Sequence, residues 1–229
     1  MKTTRHGDHL YKLTRFRAVN CYLVRDSDGF TVVDTAVPGS AKGILAAVRN
    51  GGAAIVRIAV THAHGDHVGS LEALHRELPG VEVIVPARDA RFMRGDRSLD
   101  PDEPQSKPRG SLPKVDVEPT RLVEPGERVG SLEVIAAPGH TPGHVAFLDT
   151  RDRSLIAGDA FQTLGGIAVS GVIRPLFPFP ALGTWHKPTA AASARALRAL
   201  DPWRLAVGHG ELIEQPAEAM DRAIAAAGE

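Results

Sequence analysis

Apolar residues in this chain come in short runs cut by glycine, proline and charge, and the runs alternate between two periodicities. Ala18 to Arg25 (AVNCYLVR) and Phe30 to Asp34 (FTVVD) are short, apolar and rich in β-branched residues, which predicts two strands. Asp28-Gly29 between them suits a hairpin turn. Pro38 to Gly51 reads as a helix, with Ile44, Leu45 and Val48 on one face and Gly51-Gly52 ending it. Ile55 to Val60 predicts a buried strand that runs straight into Thr61-His62-Ala63-His64-Gly65-Asp66-His67. Val68 to Leu78 has Val68, Leu71, Leu74 and Leu78 at helical spacing. A strand follows at Val81 to Val85 and a short helix at Ala87 to Gly95. Strand signals return at Leu132 to Ala136, Val145 to Leu148, Ser154 to Ala157 and Arg204 to Val207. Thr189 to Leu200 and Pro216 to Ala227 read as helices. Strands interleaved with helices in this way predict a layered α/β architecture.

Two segments resist the periodic reading. Asp96 to Pro119 is rich in proline and charge and reads as a surface loop, a lid or a partly disordered stretch. Gln162 to Thr184 is almost uncharged and rich in glycine and proline, either a buried connection or one wall of a substrate pocket.

Composition narrows the function classes. With 27 basic and 27 acidic side chains the formal net charge is zero, which gives no electrostatic reason to expect a nucleic-acid partner. The single cysteine, Cys21, rules out an intramolecular disulfide and a cysteine-rich zinc site. Met1 to Leu13 is polar and lacks the apolar run of a secretory signal. No stretch approaches the roughly 18 to 20 apolar residues that span a bilayer. The expectation is a soluble cytoplasmic protein with a small-molecule substrate and no membrane partner, its oligomeric state left open.

The histidines carry the chemistry. In His62-x-His64-x-Asp66-His67, four potential ligands fall within six residues. Imidazole and carboxylate are the ligands that a zinc-like divalent ion takes where thiolates are absent. Alternate residues leaving a strand point to one side, so His62 and His64 can grip one ion together. Asp66 and His67 can reach a second ion beside it. Three more elements each end a predicted strand: Pro138-Gly139-His140-Thr141-Pro142-Gly143-His144, Ile156-Ala157-Gly158-Asp159 and Val207-Gly208-His209-Gly210. Each is weak alone and specific in this order. The motifs on either side of 96–119 need each other, so that stretch is not a linker and residues 1–229 read as one domain.

In this order, from about Asn20 to Glu211 and including Val33-Asp34-Thr35, the elements resemble the successive motifs of the metallo-β-lactamase superfamily. The resemblance implies an αββα sandwich with a metal site at one edge. It implies that His62, His64 and His140 hold one ion, that Asp66, His67 and His209 hold a second, and that Asp159 bridges both beside a water or hydroxide. Two ions about 3.5 to 4 Å apart can generate the nucleophile and polarise the scissile group, with Asp66 accepting a proton or orienting the hydroxide. Zinc is the first expectation for both ions, with iron and manganese as alternatives. His144 and Asp34 are read as hydrogen-bonding supports rather than ligands. His6, His9 and His75 have no motif around them and read as surface residues, and His186 opens a helix after the apolar loop, where it could line the pocket.

The substrate is less legible, because this fold hosts many reactions. Asp66-His67 together with Asp159 departs from the patterns of the lactamase subclasses. Glyoxalase II, a relative in motifs, carries an additional C-terminal helical region, whereas about 20 residues follow His209 here. Homoserine-lactone lactonases place a tyrosine near the bridging aspartate, and the tyrosines here are Tyr11 and Tyr22. The leading expectation is hydrolysis of an ester, thioester or lactone. The alternative is an iron-dependent redox enzyme of the same fold, a sulfur dioxygenase or a diiron protein. Arg174, alone among charged residues between Asp159 and Lys187, is a candidate contact for an anionic substrate group.

Overall fold

The computed structural model of the protein describes residues 1–49 and 52–228. In the first half the elements are β1 (Lys2–His6), β2 (Leu10–Arg15), β3 (Val19–Arg25), β4 (Phe30–Val33), α1 (Ala41–Arg49), β5 (Ile55–Ala59), α2 (Gly65–Val68), α3 (Leu71–Glu77), β6 (Glu82–Pro86), α4 (Ala87–Met93) and β7 (Arg121–Val123). The second half continues with β8 (Arg128–Val129), β9 (Leu132–Ala136), β10 (Val145–Asp149), β11 (Ser154–Ile156), β12 (Phe161–Gln162), β13 (Ala168–Val169), α5 (Phe179–Gly183), α6 (Lys187–Ala199), β14 (Arg204–Ala206), β15 (Ile213–Glu214) and α7 (Ala217–Ala227). Strands β1 to β7 form one sheet in chain order. A second sheet has the order β15-β14-β11-β10-β9-β8, and β12 and β13 pair as a small ribbon.

The apolar runs explain the layering. In β3, Cys21 and Leu23 pack into one core while their neighbours Tyr22 and Val24 pack into another. Successive side chains on a strand point to opposite faces, so a strand buried on both faces reads as an unbroken apolar run rather than an alternating one. The first core lies under α1, α3 and α4, with Ile44, Leu74 and Phe92 among its members. A second lies under α6 and α7, with Ala194, Leu197 and Met220. The third lies between the sheets, where Tyr22, Val33 and Ile84 of the first meet Val134, Phe147 and Ile156 of the second. Helices, sheet, sheet and helices make the αββα sandwich that the motifs implied.

Several expectations shift. The polar N-terminal stretch, for which no element was predicted, forms β1 and β2. Edge strand β1 is largely solvent-facing, so its pattern is polar, and β2 carries a buried Lys12 that pairs with Glu211. The helix expected over 68–78 breaks into α2 and α3 at Ser70, which leaves helical geometry (φ −111°, ψ 10°), beside Gly69, which lies against Pro38 with no room for a Cβ. The helix expected to end at Gly51-Gly52 runs through Arg49 as α1, and Asn50 and Gly51 lie outside the described residues. Residues 96–119 contain no helix or strand but are firmly tied. Arg88 makes a two-pronged contact with Glu103, Arg97 donates to the Leu112 carbonyl, and the Trp185 indole donates to the Ser106 carbonyl. Among the described residues no helix is long and apolar enough to cross a membrane.

Candidate metal centre

The motif residues occupy loops at one edge of the sandwich. β4 runs parallel to β5, and β11 parallel to β14, so the loops after each pair of strands leave the sheet on the same side. Asp34 and the His62–His67 loop follow the first pair, and Asp159 and His209 follow the second. His140 lies in the turn between β9 and β10, which are antiparallel. Backbone bonds stitch the two sheets together there: Val145 N donates to Thr61 O at 3.0 Å and Asn20 N to Gly208 O at 2.8 Å. Asp34 ends β4 in the left-handed region (φ 62°), a conformation aspartate tolerates better than most residues.

Three overlapping groups of donors result: His62, His64 and His140; His62, His67 and Asp159; Asp66, His67 and His209. Within each group the potential ligand atoms lie within 4.8 Å of one another.

Hydrogen bonds fix which nitrogen of each ring is free. Thr61 Oγ1 donates to Asp34 Oδ2, so at 3.0 Å from His62 Nδ1 it accepts from that nitrogen and leaves Nε2 bare. His67 Nδ1 donates to Asp34 Oδ2 at 2.7 Å, again leaving Nε2. His64 is turned the other way, because its Nε2 donates to the Arg109 carbonyl at 2.9 Å and Nδ1 is left. Around His140 Nδ1, Ser170 Oγ donates to Asp159 O and Thr184 Oγ1 to Pro180 O, so both hydroxyls accept from that nitrogen and Nε2 is left. His209 Nδ1 donates to Ala18 O at 3.1 Å, leaving Nε2.

Five ring nitrogens thus converge, none of them met by a donor from another residue. His64 Nδ1 and His140 Nε2 stand 2.9 Å apart, both as acceptors. His62 Nε2, His67 Nε2 and Asp159 Oδ1 are buried without a hydrogen-bond partner. Asp159 Oδ1 is 3.4 Å from His67 Nε2, and its Oδ2 is 3.1 Å from His209 Nε2 and 3.4 Å from His140 Nε2. Asp66 Oδ2 is 3.3 Å from His209 Nε2. Buried acceptors facing one another are costly unless a cation lies among them. The nitrogen and oxygen donor set suits divalent ions of the zinc type, and the residues fit a pair of them.

Charge tells the same story for the ion-free protein. Burial lowers the basicity of His62 and His140, helped by the neighbouring imidazoles, so both stay neutral. Burial alone would raise Asp66 and Asp159, but His209 and His67 hold both well below the ordinary carboxylate range. Burial opposes a proton on His209, yet Asp159 and Asp66 lift it to about 9. His67, likewise opposed by burial, is raised by Asp34 and Asp159. Without an ion, the site keeps protons where cations would otherwise stand.

Further residues hold the loops; sequence reasoning missed Asp89, Asn20 and Gly208 and anticipated His144 as a hydrogen-bonding support. Asp89 of α4 is fully buried; it accepts from Ala63 N and Thr141 Oγ1 on one oxygen and from Gly143 N on the other. It therefore cross-braces the loop bearing His62 and His64 to the loop bearing His140. Asn20 donates to the carbonyls of Val207 and Gly210 and secures the turn that carries His209. Gly208 is required by close approach, because a Cβ there would sit 2.1 Å from Asp159 Oδ1. His144 is buried and neutral, pushed down to about 3 mainly by that burial. Its Nε2 accepts from Asp159 N at 3.1 Å, so it acts on the backbone of Asp159.

A cavity of about 740 Å³ opens onto the centre, lined by His64, Asp66, His140, Asp159 and His209 together with residues of the 96–119 loop and of α5. Both non-periodic segments therefore contribute to its wall. Arg174 does not line it: the half-buried guanidinium donates to the Ile167 carbonyl, so a backbone oxygen supplies the acceptor expected of a substrate anion. His186 caps α6 by accepting from Thr189 N.

A model described as the metallo-beta-lactamase superfamily matches residues 14–209. The protein YobT of Bacillus subtilis (strain 168) is 50% identical over 219 residues, 94% of each chain. The hydroxyacylglutathione hydrolase of Stenotrophomonas maltophilia (strain R551-3) is 32% identical over 160 residues, which span 68% of this chain and 51% of that one. Among solved structures, TTHA1623 in a di-iron-bound form superposes with a TM-score of 0.65 at 27% identity, over 91% of this chain and 95% of the other.

Proposed function

The chain belongs to the metallo-beta-lactamase superfamily, and from that premise we propose that it is a hydrolase using two divalent ions, zinc first, to cleave an ester, thioester or lactone of a small molecule. The observation that carries this reading is the convergence of five tautomer-fixed imidazoles and two carboxylates at the base of an open cavity, which five of the seven line. His62, His64 and His140 would hold one ion, Asp66, His67 and His209 the other, and Asp159 would bridge. Bound there, the ions would supply hydroxide near neutral pH and polarise the scissile carbonyl.

The side chains divide the remaining work. Asp34 and Thr61 fix His67 and His62 in the tautomers that present Nε2. His62 and His67 are wholly buried, whereas Asp66 is 35% exposed and faces the cavity. Its carboxylate is thus placed to take a proton from the attacking water or pass one to the leaving group. Thioester cleavage draws support from the hydroxyacylglutathione hydrolase relative, although this chain spans about half the length of that protein. Lactone cleavage draws less, since no tyrosine lines the cavity and the Tyr22 hydroxyl donates to the Val207 carbonyl.

The second reading, an iron-dependent redox enzyme, takes its support from the di-iron-bound form of TTHA1623. A complete second cluster at Asp66, His67 and His209 favours hydrolysis over a one-iron oxygenase. The test is a panel of esters, thioesters and lactones assayed with zinc-, iron- and manganese-loaded protein, before and after chelation. Turnover that vanishes with the ions supports the proposal. No turnover of any member at full metal occupancy refutes it.

A further inference from the structure

Apart from the metal donors, the cavity wall is mainly apolar, with Val68, Val115 and Pro180 among its members. Glu72 and Lys114 are the charged residues that line it besides the ligand candidates. Lys114 lies 3.4 Å from Asp116, so even that cation has an anionic neighbour.

Two large apolar side chains of the wall have little protein to cover them. Phe179 is 66% exposed and Leu182 is 55% exposed. They are three residues apart on α5 and so share one face of its single turn. The other end of that turn reaches the chemistry. A Cβ placed on Gly183 would lie 3.5 Å from the rings of both His64 and His140, and Thr184 Oγ1 accepts from His140 Nδ1. Trp185 N donates to the His140 carbonyl at 3.0 Å, which ties the segment down. An apolar track therefore runs from solvent to the metal donors on a segment held in fixed relation to them. Exposed apolar surface of this kind gains free energy only when something apolar covers it.

We propose that the substrate carries a hydrocarbon chain that lies along α5 against Phe179 and Leu182, so that the enzyme selects apolar acyl esters or thioesters over short or charged ones. For the bond cleaved this rests on the hydrolase reading; for the chain bound it does not. A glutathione conjugate, which carries two carboxylates, would find Lys114 as the single basic residue in the lining apart from histidine.

Two measurements on zinc-loaded protein test this. The first is kcat/KM for p-nitrophenyl acetate, butyrate, hexanoate and octanoate. It should rise about two- to fourfold per methylene, as expected for partial to full burial of each group. Leu182→Ser and Phe179→Ser should flatten that slope. Leu122→Ser, at an exposed apolar residue away from the cavity, should keep it. The second is calorimetric binding of N-octylacetamide and N-ethylacetamide, with the octyl compound binding at least about tenfold more tightly. Acetate cleaved as well as octanoate, with the two amides bound equally, overturns the inference and leaves the hydrolase reading standing. The octyl preference in binding, with no turnover of any ester, thioester or lactone of the panel at full metal occupancy, supports the inference and overturns the hydrolase reading. Association of two copies through α5 with no dependence on chain length also overturns it.

Discussion

Asp89 offers the sharpest test of how the centre is built, because it touches no ligand candidate directly. Its Oδ2 accepts from Ala63 N at 2.9 Å and from Thr141 Oγ1 at 2.7 Å, and its Oδ1 accepts from Gly143 N at 2.8 Å. Asp89→Asn keeps the volume but leaves one acceptor oxygen. With that oxygen toward Ala63 and Thr141, the new amide faces the Gly143 N–H, and one buried donor loses its partner at a cost of about 1–3 kcal/mol. Part of that is offset, since burial raises the pKa of Asp89 and the neutral amide avoids the cost of a buried charge. The expected net loss is about 1–2 kcal/mol in the ion-free protein. Ala63 separates His62 from His64, and Thr141 adjoins His140, so the loosened loops should also weaken the first ion's site by roughly 10- to 100-fold. Urea denaturation gives the first number and cobalt titration followed by visible absorption gives the second. An Asn variant within about 0.5 kcal/mol of wild type and with an unchanged cobalt isotherm would refute the cross-brace.

Asp159→Ala removes the proposed bridge, and Gly208→Ala places a Cβ 2.1 Å from Asp159 Oδ1. Both should lose at least one ion per chain by elemental analysis and orders of magnitude in activity, while circular dichroism stays native. In the ion-free protein His209 is raised to about 9. Its stabilising contribution is therefore complete below the unfolded value of about 6.5 and fades as pH climbs through about 9. A divalent ion displaces that proton, so the gap in Tm between zinc-loaded and zinc-free protein should widen over this window; a constant gap would contradict the assignment. Arg174→Ala should change kcat/KM for anionic and neutral esters by the same factor, since its guanidinium serves the Ile167 carbonyl. A selective rise in KM for the anionic ester would restore Arg174 to the pocket.

What could be read from the chain follows from how local each feature is. His62, His64, Asp66 and His67 are visible because one loop carries all four at strand-and-turn spacing. The strands flanking them are visible because both faces of the sheets are buried, as the split of Cys21 and Tyr22 between two cores shows. β1 escapes because an exposed edge strand looks like a polar tail. The groups that fix the tautomers escape for another reason. The Arg109 carbonyl, Ser170 and Thr184 are brought to their histidines across separations of 30 to 45 residues, and no local pattern marks them. Asp89 looks like any polar residue of a short helix, and its burial is a tertiary fact. The Arg174 expectation failed to anticipate a backbone acceptor only seven residues away, because loop carbonyls carry no sequence signature.

The proposal that seven named donors hold two ions beneath the cavity is decided by anomalous diffraction from crystals of the zinc-loaded protein. Two peaks about 3.5 to 4 Å apart are expected. One should lie about 2.0 to 2.2 Å from His62 Nε2, His64 Nδ1 and His140 Nε2, the other equally close to Asp66, His67 Nε2 and His209 Nε2, with Asp159 touching both. A single peak, or an ion bound through His64 Nε2 or away from Asp159, would contradict it.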